Sequence, residues 1–235
     1  MKKNNIKIFI KLFLDSLGLL KLFKKIKSLF WKNSNQNSDF VANGFKVFEL
    51  IVKNTNENNI EVWPTFGSLL GLVRDEKLLD YDNDLDFGCF FNFEIQTALR
   101  EKLLGLGFRR VFSGYINDNC VLDKFIFDGV ETDFYYFFKE NDDVFSYDFE
   151  QDGIISVEEN IAIGNKIIPY KNVYSKFNLK QVDLNNISFM IPDPIKTHLV
   201  GLYGKNYIIP DKNWHNNKRK NRYAILDAIV SFKNL

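Results

Sequence analysis

Residues Asp82 to Phe90 read "DNDLDFGCF": three aspartates spaced two apart, with asparagine and leucine between them, running directly into an apolar stretch. Side chains alternate across a strand, so Asp82, Asp84 and Asp86 share one face while Asn83, Leu85 and Phe87 take the other. In a helix the same aspartates would fall about 200° apart in succession and scatter. The strand therefore lines three carboxylates along one edge, with about 7 Å between neighbours. Bare anions at that spacing repel, whereas divalent cations bridge them. Two plainer readings stand beside a metal site. A solvated acidic turn carries its charges at little cost. A calcium loop of the EF-hand type needs glycine at its sixth position and glutamate at its twelfth. From Asp80 those positions hold Leu85 and Phe91, and from Asp82 they hold Phe87 and Phe93, so the calcium loop fails in both registers.

Around this strand the sequence alternates between helical and extended patterns. "DFVANGFKVFELIVKNTNENN" from Asp39 is helical, with Phe40, Phe45, Phe48 and Ile51 near one face and an Asn-rich turn at its end. "IEVWPTF" reads as a strand, Gly67-Ser68 opens a short helix through Arg74, "DLDFGCF" is a second strand, and "FEIQTALREKLLGLG" is a helix ending at Gly105 or Gly107. Strand-rich runs follow ("FRRVFSGYI", "CVLDKFIFDG", "VETDFYYFF", "DVFSYDF", "NIAIGNKIIPY"), separated by Gly, Asn and Asp turns. Two helical pieces are expected at the end, near Pro194 to Tyr203 and from about Asn216 to Phe232. The order predicts an α+β domain over residues 39–235: a mixed β-sheet with packed helices, and a helical C-terminal lobe from about residue 190. At 235 residues and 46% hydrophobic composition the chain has enough apolar material for one core.

Residues 1–38 read differently. Nine lysines against Asp15 give residues 1–32 a net charge of +8, which leaves −7 for the rest of a chain whose total is +1. Lys11 and Asp15 interrupt every apolar run before the roughly 20 residues a membrane span requires, and Lys11 also breaks a secretory core. Most of these lysines fall on one helical meridian, with Phe9, Phe13, Phe23 and Phe30 largely opposite. This is a basic amphipathic N-terminal helix, expected either to pack on its own domain or to lie in an anionic membrane surface, which implies a peripheral location on the cytoplasmic face. Lys32 to Ser38 then reads as a polar linker. Cys89 and Cys120 lie in apolar runs without metal-site spacing, which fits buried free thiols in a reducing compartment. An acidic body with one dense basic run, Asn216 to Arg222, argues against nucleic acid as a partner; that run either binds acceptor phosphate or membrane or, the plainer reading, forms a solvated helix face.

The chemistry concentrates near the aspartates. A Gly-Ser turn opening a helix, a strand bearing Asp-x-Asp, and a later acid on an apolar strand form the pattern of the nucleotidyltransferase fold. Gly67 and Ser68 present backbone N–H groups to a phosphate, and Asp82, Asp84 and Asp86 present carboxylates to Mg²⁺ or Mn²⁺ against the same phosphate. Asp133 in "GVETDFYYF" is the candidate third acid, with Glu131 on the same face. His198 and His215 near the C-terminal helices are expected to be structural, and Tyr203 either ends a helix before Gly204 or faces substrate.

The residues resemble those of the LicD and fukutin family of phosphotransferases. Gly67-Ser68-Leu69-Leu70-Gly71 and Arg74, followed by "LLDYDNDLDFG", are similar to the family's opening motif and alternating Asp motif. "TDFYYF" is similar to its later acidic strand, and "IPDPIKTHLVGLYGKNYIIPDKNW" to its Pro-containing strand, helix and Pro-x-x-Trp ending. Ser68 stands for the common Thr, Asp80 for Pro and Tyr81 for Trp. The resemblance implies transfer of a substituted phosphate, such as phosphocholine or a polyol phosphate, from a CDP-activated donor (CDP-choline or CDP-ribitol) to a sugar hydroxyl. The acceptor would be a surface glycan or lipid-linked glycan of lipopolysaccharide, capsule or teichoic acid type. It implies Asp84 and Asp86 as the main ligands of Mg²⁺ or Mn²⁺ and Asp82 as a further ligand or supporting acid. Asp133 would be a second-metal ligand or base, and Arg74 the neutraliser of diphosphate charge. A nucleotidyltransferase moving NMP, and a scaffold without activity, are the alternatives.

Overall fold

Turn chemistry and alternation organise most of the chain. The computed structural model describes residues 34–150, 167–211, 214 and 218–234. Contacts divide the chain into two units, residues 1–35 with 149–168 and residues 36–148 with 169–235. The basic leader, the "NIAIGNK" part of the run ending at Tyr170, and His215 lie outside the described residues. The second unit carries Asp82, Asp84, Asp86 and Asp133.

Among the described residues four helices and eleven strands follow in order: α1 (Ser34–Glu57), β1 (Val62–Pro64), α2 (Phe66–Arg74), β2 (Asp84–Phe90), α3 (Phe93–Gly105), β3 (Arg109–Ile116), β4 (Asn119–Phe127), β5 (Val130–Glu140), β6 (Asp143–Glu150), β7 (Ile168–Ser175), β8 (Asn178–Leu184), β9 (Ile187–Asp193), α4 (Ile195–Tyr203), β10 (Arg222–Ala224) and β11 (Val230–Asn234). A nine-stranded sheet runs β10-β7-β6-β5-β4-β3-β11, with β2 joined to β5 and β1 to β2; β8 and β9 form a separate hairpin. The pairs β1–β2, β3–β4, β4–β5, β5–β6, β7–β10 and β3–β11 are antiparallel, and β2 with β5 is parallel. The α+β fold with a mixed sheet is therefore as the sequence predicts.

Two-residue turns at Asn117-Asp118, Asp128-Gly129 and Asn185-Asn186 close the hairpins β3–β4, β4–β5 and β8–β9. All six residues have positive φ. Asn, Asp and Gly tolerate that left-handed region, and its twist matches the strands it joins. Asn185-Asn186 is thus a legible hairpin signal, although the sequence pattern above does not single out β8. Asn92 starts α3, its Oδ1 accepting from the N–H groups of Glu94 and Ile95. Gly107, at φ 93, follows that helix's end.

Three expectations need correction. Ser34 to Ser38 belong to α1 instead of a linker. No helix spans Asn216 to Phe232: Arg222–Ala224 and Val230–Asn234 are strands, pairing with β7 and β3. Helix α4 is present, but the chain beyond it returns to the sheet instead of completing a helical lobe. The free edges of β7 and β3 offered backbone partners that a short, charge-rich helix could not match, and β-branched Ile225, Ile229 and Val230 suit that alternative. Third, β2 begins at Asp84, so Asp82 lies just before the strand and not on it.

The core sits under β2. Leu85, Phe87 and Cys89 are buried on one face. The Phe87 ring stacks between Phe48 of α1 at 5.6 Å and Phe134 of β5 at 5.3 Å, while Phe189 of β9 meets Phe48 edge-on at 5.4 Å. Each buried Phe stabilises the fold by roughly 1.5–3 kcal/mol. These phenylalanines are therefore core material. On the other face of β2, Gly88 leaves room for the fully buried Trp63 indole, which packs on Phe90, Phe137 and Phe177.

That contact sets a stability test. A Cβ at position 88 would lie 2.5 Å from Trp63 Cε2 and Nε1, whereas one at Gly201 in α4 meets nothing within 4 Å. Gly88→Ala should cost about 1–3 kcal/mol by overpacking, and Gly201→Ala should be neutral or stabilise by up to about 1 kcal/mol. Denaturant midpoints of the two variants measure the difference; equal midpoints would remove the close indole packing.

Candidate active site

Parallel pairing of β2 with β5 sets Asp84 opposite Glu131 and Asp86 opposite Asp133. One carboxylate oxygen from each of Asp84, Asp86 and Asp133 lies within 4.8 Å of the other two. Asp86 and Asp133 are 9% and 6% exposed. Sequence alternation brings the first two together, and only the strand pairing adds the third. Asp82, in the turn before β2, leans on the same group through a hydrogen bond with Asp84. Two carboxylates can share such a bond only if one keeps its proton.

The electrostatics agree. Burial and the neighbouring carboxylates push all four aspartates upward: Asp82 and Asp133 to about 7, with Asp84 raised and Asp86 raised well above the ordinary 3.8. Two full charges 4.8 Å apart repel by roughly 3 kcal/mol at an effective dielectric of about 20. Three such pairs would exceed the roughly 4 kcal/mol needed to keep one carboxyl protonated at neutral pH. Without a cation the cluster therefore holds protons, and with one it can release them. The donor set is all oxygen, which fits Mg²⁺ or Mn²⁺.

Lys124 is a further charged residue of the cluster that the sequence pattern does not single out. It pairs across strands with Asp133, and its Nζ donates to Glu131 Oε2 at 3.0 Å. The same Nζ lies 3.1 Å from Asp133 Oδ1, a buried oxygen that accepts no well-aligned hydrogen bond. Burial alone would lower the Lys124 pKa; Asp133, Glu131 and Asp84 more than reverse this and hold the ammonium charged. A lysine inside the apolar strand "VLDKFIF" was the available signal.

The first turn of α2 is built against these acids. Thr65 N–H donates to Asp86 O at 2.9 Å. Phe66 then takes φ 43, a conformation costing a bulky residue about 1–3 kcal/mol, and so redirects the chain into the helix. A Cβ on Gly67 would meet Asp82 Oδ2 at 2.3 Å, so only glycine lets that carboxylate down onto the helix start. Ser68 is buried, and its Oγ accepts the Asp86 N–H at 2.9 Å. Its hydroxyl thus locks helix to strand.

The remaining candidates divide. Arg74 engages Asp75 bidentately, Nε to Oδ1 at 2.8 Å and Nη2 to Oδ2 at 2.7 Å, and Nη2 also reaches Tyr81 Oη at 3.3 Å. Tyr203 ends α4 before Gly204 at φ 83, and its ring meets Trp214 at 4.7 Å. Burial raises its hydroxyl pKa, with the charges of Asp86 and Asp82 adding to the effect and Arg219 opposing it. His198 stacks on Tyr174 at 5.0 Å, and burial pushes it down to about 3. It is a neutral packing residue, as expected. Arg219, from the run read as a solvated helix face, is instead buried, its guanidinium over the Phe66 ring at 4.4 Å.

A helix start facing Asp-x-Asp on one strand and a further aspartate on its parallel neighbour defines a nucleotidyltransferase-type domain. The chain belongs to the family described as LicD/FKTN/FKRP, nucleotidyltransferase domain, which matches residues 59–193. That range contains α2, β2 and β5 and stops before α4. Ribitol-5-phosphate transferase FKTN of Homo sapiens and of Macaca fascicularis are each 22% identical over 197 residues, 82% of this chain. The chain spans 40% of the length of these relatives. The crystal structure of ANT(2")-Ia in complex with adenylyl-2"-tobramycin is 11% identical, with a TM-score of 0.43, over 73% of this chain and 81% of that one.

The raised aspartates predict an inverted pH profile for the metal-free protein. Carboxyls at 3.8 when unfolded and about 7 when folded bind more protons in the folded state between those values. Stability is then fully present below about pH 4 as far as these groups are concerned and falls as pH rises through 7. The melting temperature in EDTA should drop from pH 5 to pH 8, and Mg²⁺ should restore it at pH 8. A metal-free profile that rises over that interval would show that the aspartates are not mutually buried.

Proposed function

We propose that the chain is a transferase of a substituted phosphate, with a CDP-activated polyol such as CDP-ribitol as donor and a sugar hydroxyl of a surface glycan as acceptor. The observation that carries this reading is the carboxylate triad of Asp84, Asp86 and Asp133, set against the first turn of α2. Membership of the family supports it, and the ribitol-5-phosphate transferases among the relatives favour a polyol phosphate over phosphocholine.

In this reading Asp84 and Asp86 hold Mg²⁺ or Mn²⁺, with Asp82 supporting them. The ion would supply charge neutralisation to the donor's diphosphate. The acceptor hydroxyl oxygen forms a bond to the phosphorus that bears the polyol, and the bond from that phosphorus to the bridging oxygen breaks, releasing CMP. Asp133, poised at about 7, takes the hydroxyl proton, while Lys124 favours its charged form beforehand. Gly67 and Ser68 offer backbone N–H groups at the helix start. Arg74 reaches the diphosphate only by exchanging Asp75 for it, and Tyr203 lines the side nearest α4.

Donor hydrolysis tests the reading. CDP-ribitol, CDP-glycerol and CDP-choline are offered with Mg²⁺, and the expected products are CMP and a phospho-substituted acceptor. Asp84→Asn or Asp86→Asn should lower turnover by at least about a thousandfold while metal-free thermal stability holds or rises, because each removes a ligand and a repulsive charge together. Near-normal turnover in either variant sinks the assignment, and release of pyrophosphate with a nucleotide left on the acceptor converts it to NMP transfer.

No described helix is long and apolar enough to cross a membrane. The +8 of residues 1–32 supports peripheral attachment to an anionic surface. Full-length protein should then co-sediment with phosphatidylserine vesicles in low salt, and protein starting at Ser34 should not. Equal sedimentation would reject the membrane role.

A further inference from the structure

We propose that Arg219, brought in by the segment beyond α4, is a donor-binding residue that grips phosphate at the first turn of α2, opposite the carboxylates. The inference deepens the transferase reading and rests on it only for the identity of the donor. Neither the opening aspartate pattern nor the family match, which ends at residue 193, includes Arg219.

Position comes first. The Arg219 guanidinium lies 4.4 Å from the ring centre of Phe66 and 5.3 Å from that of Trp214. Phe66 is the first residue of α2, a nine-residue helix whose first N–H groups have no partner within the helix. The Phe66 ring in turn meets Tyr135 edge-on at 4.8 Å, and Tyr135 Oη lies 3.5 Å from Asp133 Oδ2. Contacts thus run from Arg219 through two aromatic rings to the triad.

Charge comes second. The Arg219 side chain is 5% exposed, and its Nε has no hydrogen-bond partner among the described residues. Its Nη1 makes a long contact with Asp148 Oδ2, at 3.4 Å. Asp148 is already neutralised by Arg222, whose Nη2 and Nε donate to Oδ1 at 2.8 and 3.0 Å. Both arginines thus reach Asp148, and the Arg219 Nε N–H stays unpartnered among the described residues, beside an anion-favouring helix start. A buried guanidinium N–H without an acceptor is costly unless an anion completes it. Phosphate does so bidentately with the planar guanidinium fork. The donor's diphosphate would then lie between cations on both sides: the metal on the aspartates, and Arg219.

Calorimetric titration of the full chain with inorganic pyrophosphate, in Mg²⁺, tests this without assuming a donor. Arg219→Gln should weaken binding by about tenfold or more, the loss of one charge-assisted contact. Arg219→Lys, which keeps the charge and loses the fork, should fall between it and the wild type. Arg222→Gln disturbs the same Asp148 anchor and should lower the melting temperature while leaving pyrophosphate affinity within about twofold. Wild-type affinity in Arg219→Gln, an equal loss in Arg222→Gln, or no pyrophosphate binding by the wild type would each overturn the assignment. If Arg219→Gln loses its near-ultraviolet dichroism, Arg219→Lys decides, with unchanged affinity overturning the proposal. CDP-ribitol titrated in parallel separates the two readings: weakened pyrophosphate binding in Arg219→Gln supports Arg219 even where CDP-ribitol fails to bind the wild type.

Discussion

The parallel pairing of β2 with β5 is the constraint on which the rest of the structure depends. One register places Asp86 beside Asp133 on the site face and Phe87 beside Phe134 on the core face. Repulsion between carboxylates and stacking of aromatic rings are thereby imposed on the same two strands. A slip by one residue would bury the aspartates in the aromatic core and send the phenylalanines to the site, so the hydrophobic pattern that fixes the register also fixes the site. Phe48 and Phe125, which pack on the Phe87–Phe134 pair, hold the acids together although neither is an acid's neighbour in sequence.

Around that pair the chain places elements that have no partner of their own. Helix α2 is short and lacks a side-chain cap at Thr65. It is held instead by the bond from the Asp86 N–H to Ser68 Oγ and by the ladder bond from Thr65. The helix start and the acidic strand therefore move as one body, which suits a site that must keep backbone N–H groups and carboxylates at a fixed separation. Lys124 stands on the other side of the acids and offsets part of their charge.

Much of the site is legible along the chain because its parts are local. Alternation alone puts Asp84 and Asp86 on one face, and the turn residues Asp128-Gly129 mark the hairpin that starts β5. Asp82 was less legible, since an extra charge at the same spacing reads as strand although the chain turns there. The C-terminal segment reads as helix because Asn216 to Phe232 offers helix-forming lysines and no strong alternation. Its strands exist only where β7 and β3 present open edges, and no window of the sequence contains that information.

By itself, then, the sequence determined the α+β order of elements and the family to which they belong, along with the acidic strand and the helix opened by Gly67-Ser68, each of these two written within a dozen consecutive residues or fewer. The tertiary structure decided which distant charges answer them. Lys124 meets Asp133 through a cross-strand register, and Arg219 meets Phe66 across about 150 residues of chain. Such pairings depend on which strand edges are free and which aromatic faces are exposed once the core has formed, a balance of burial and backbone pairing that belongs to the folded whole.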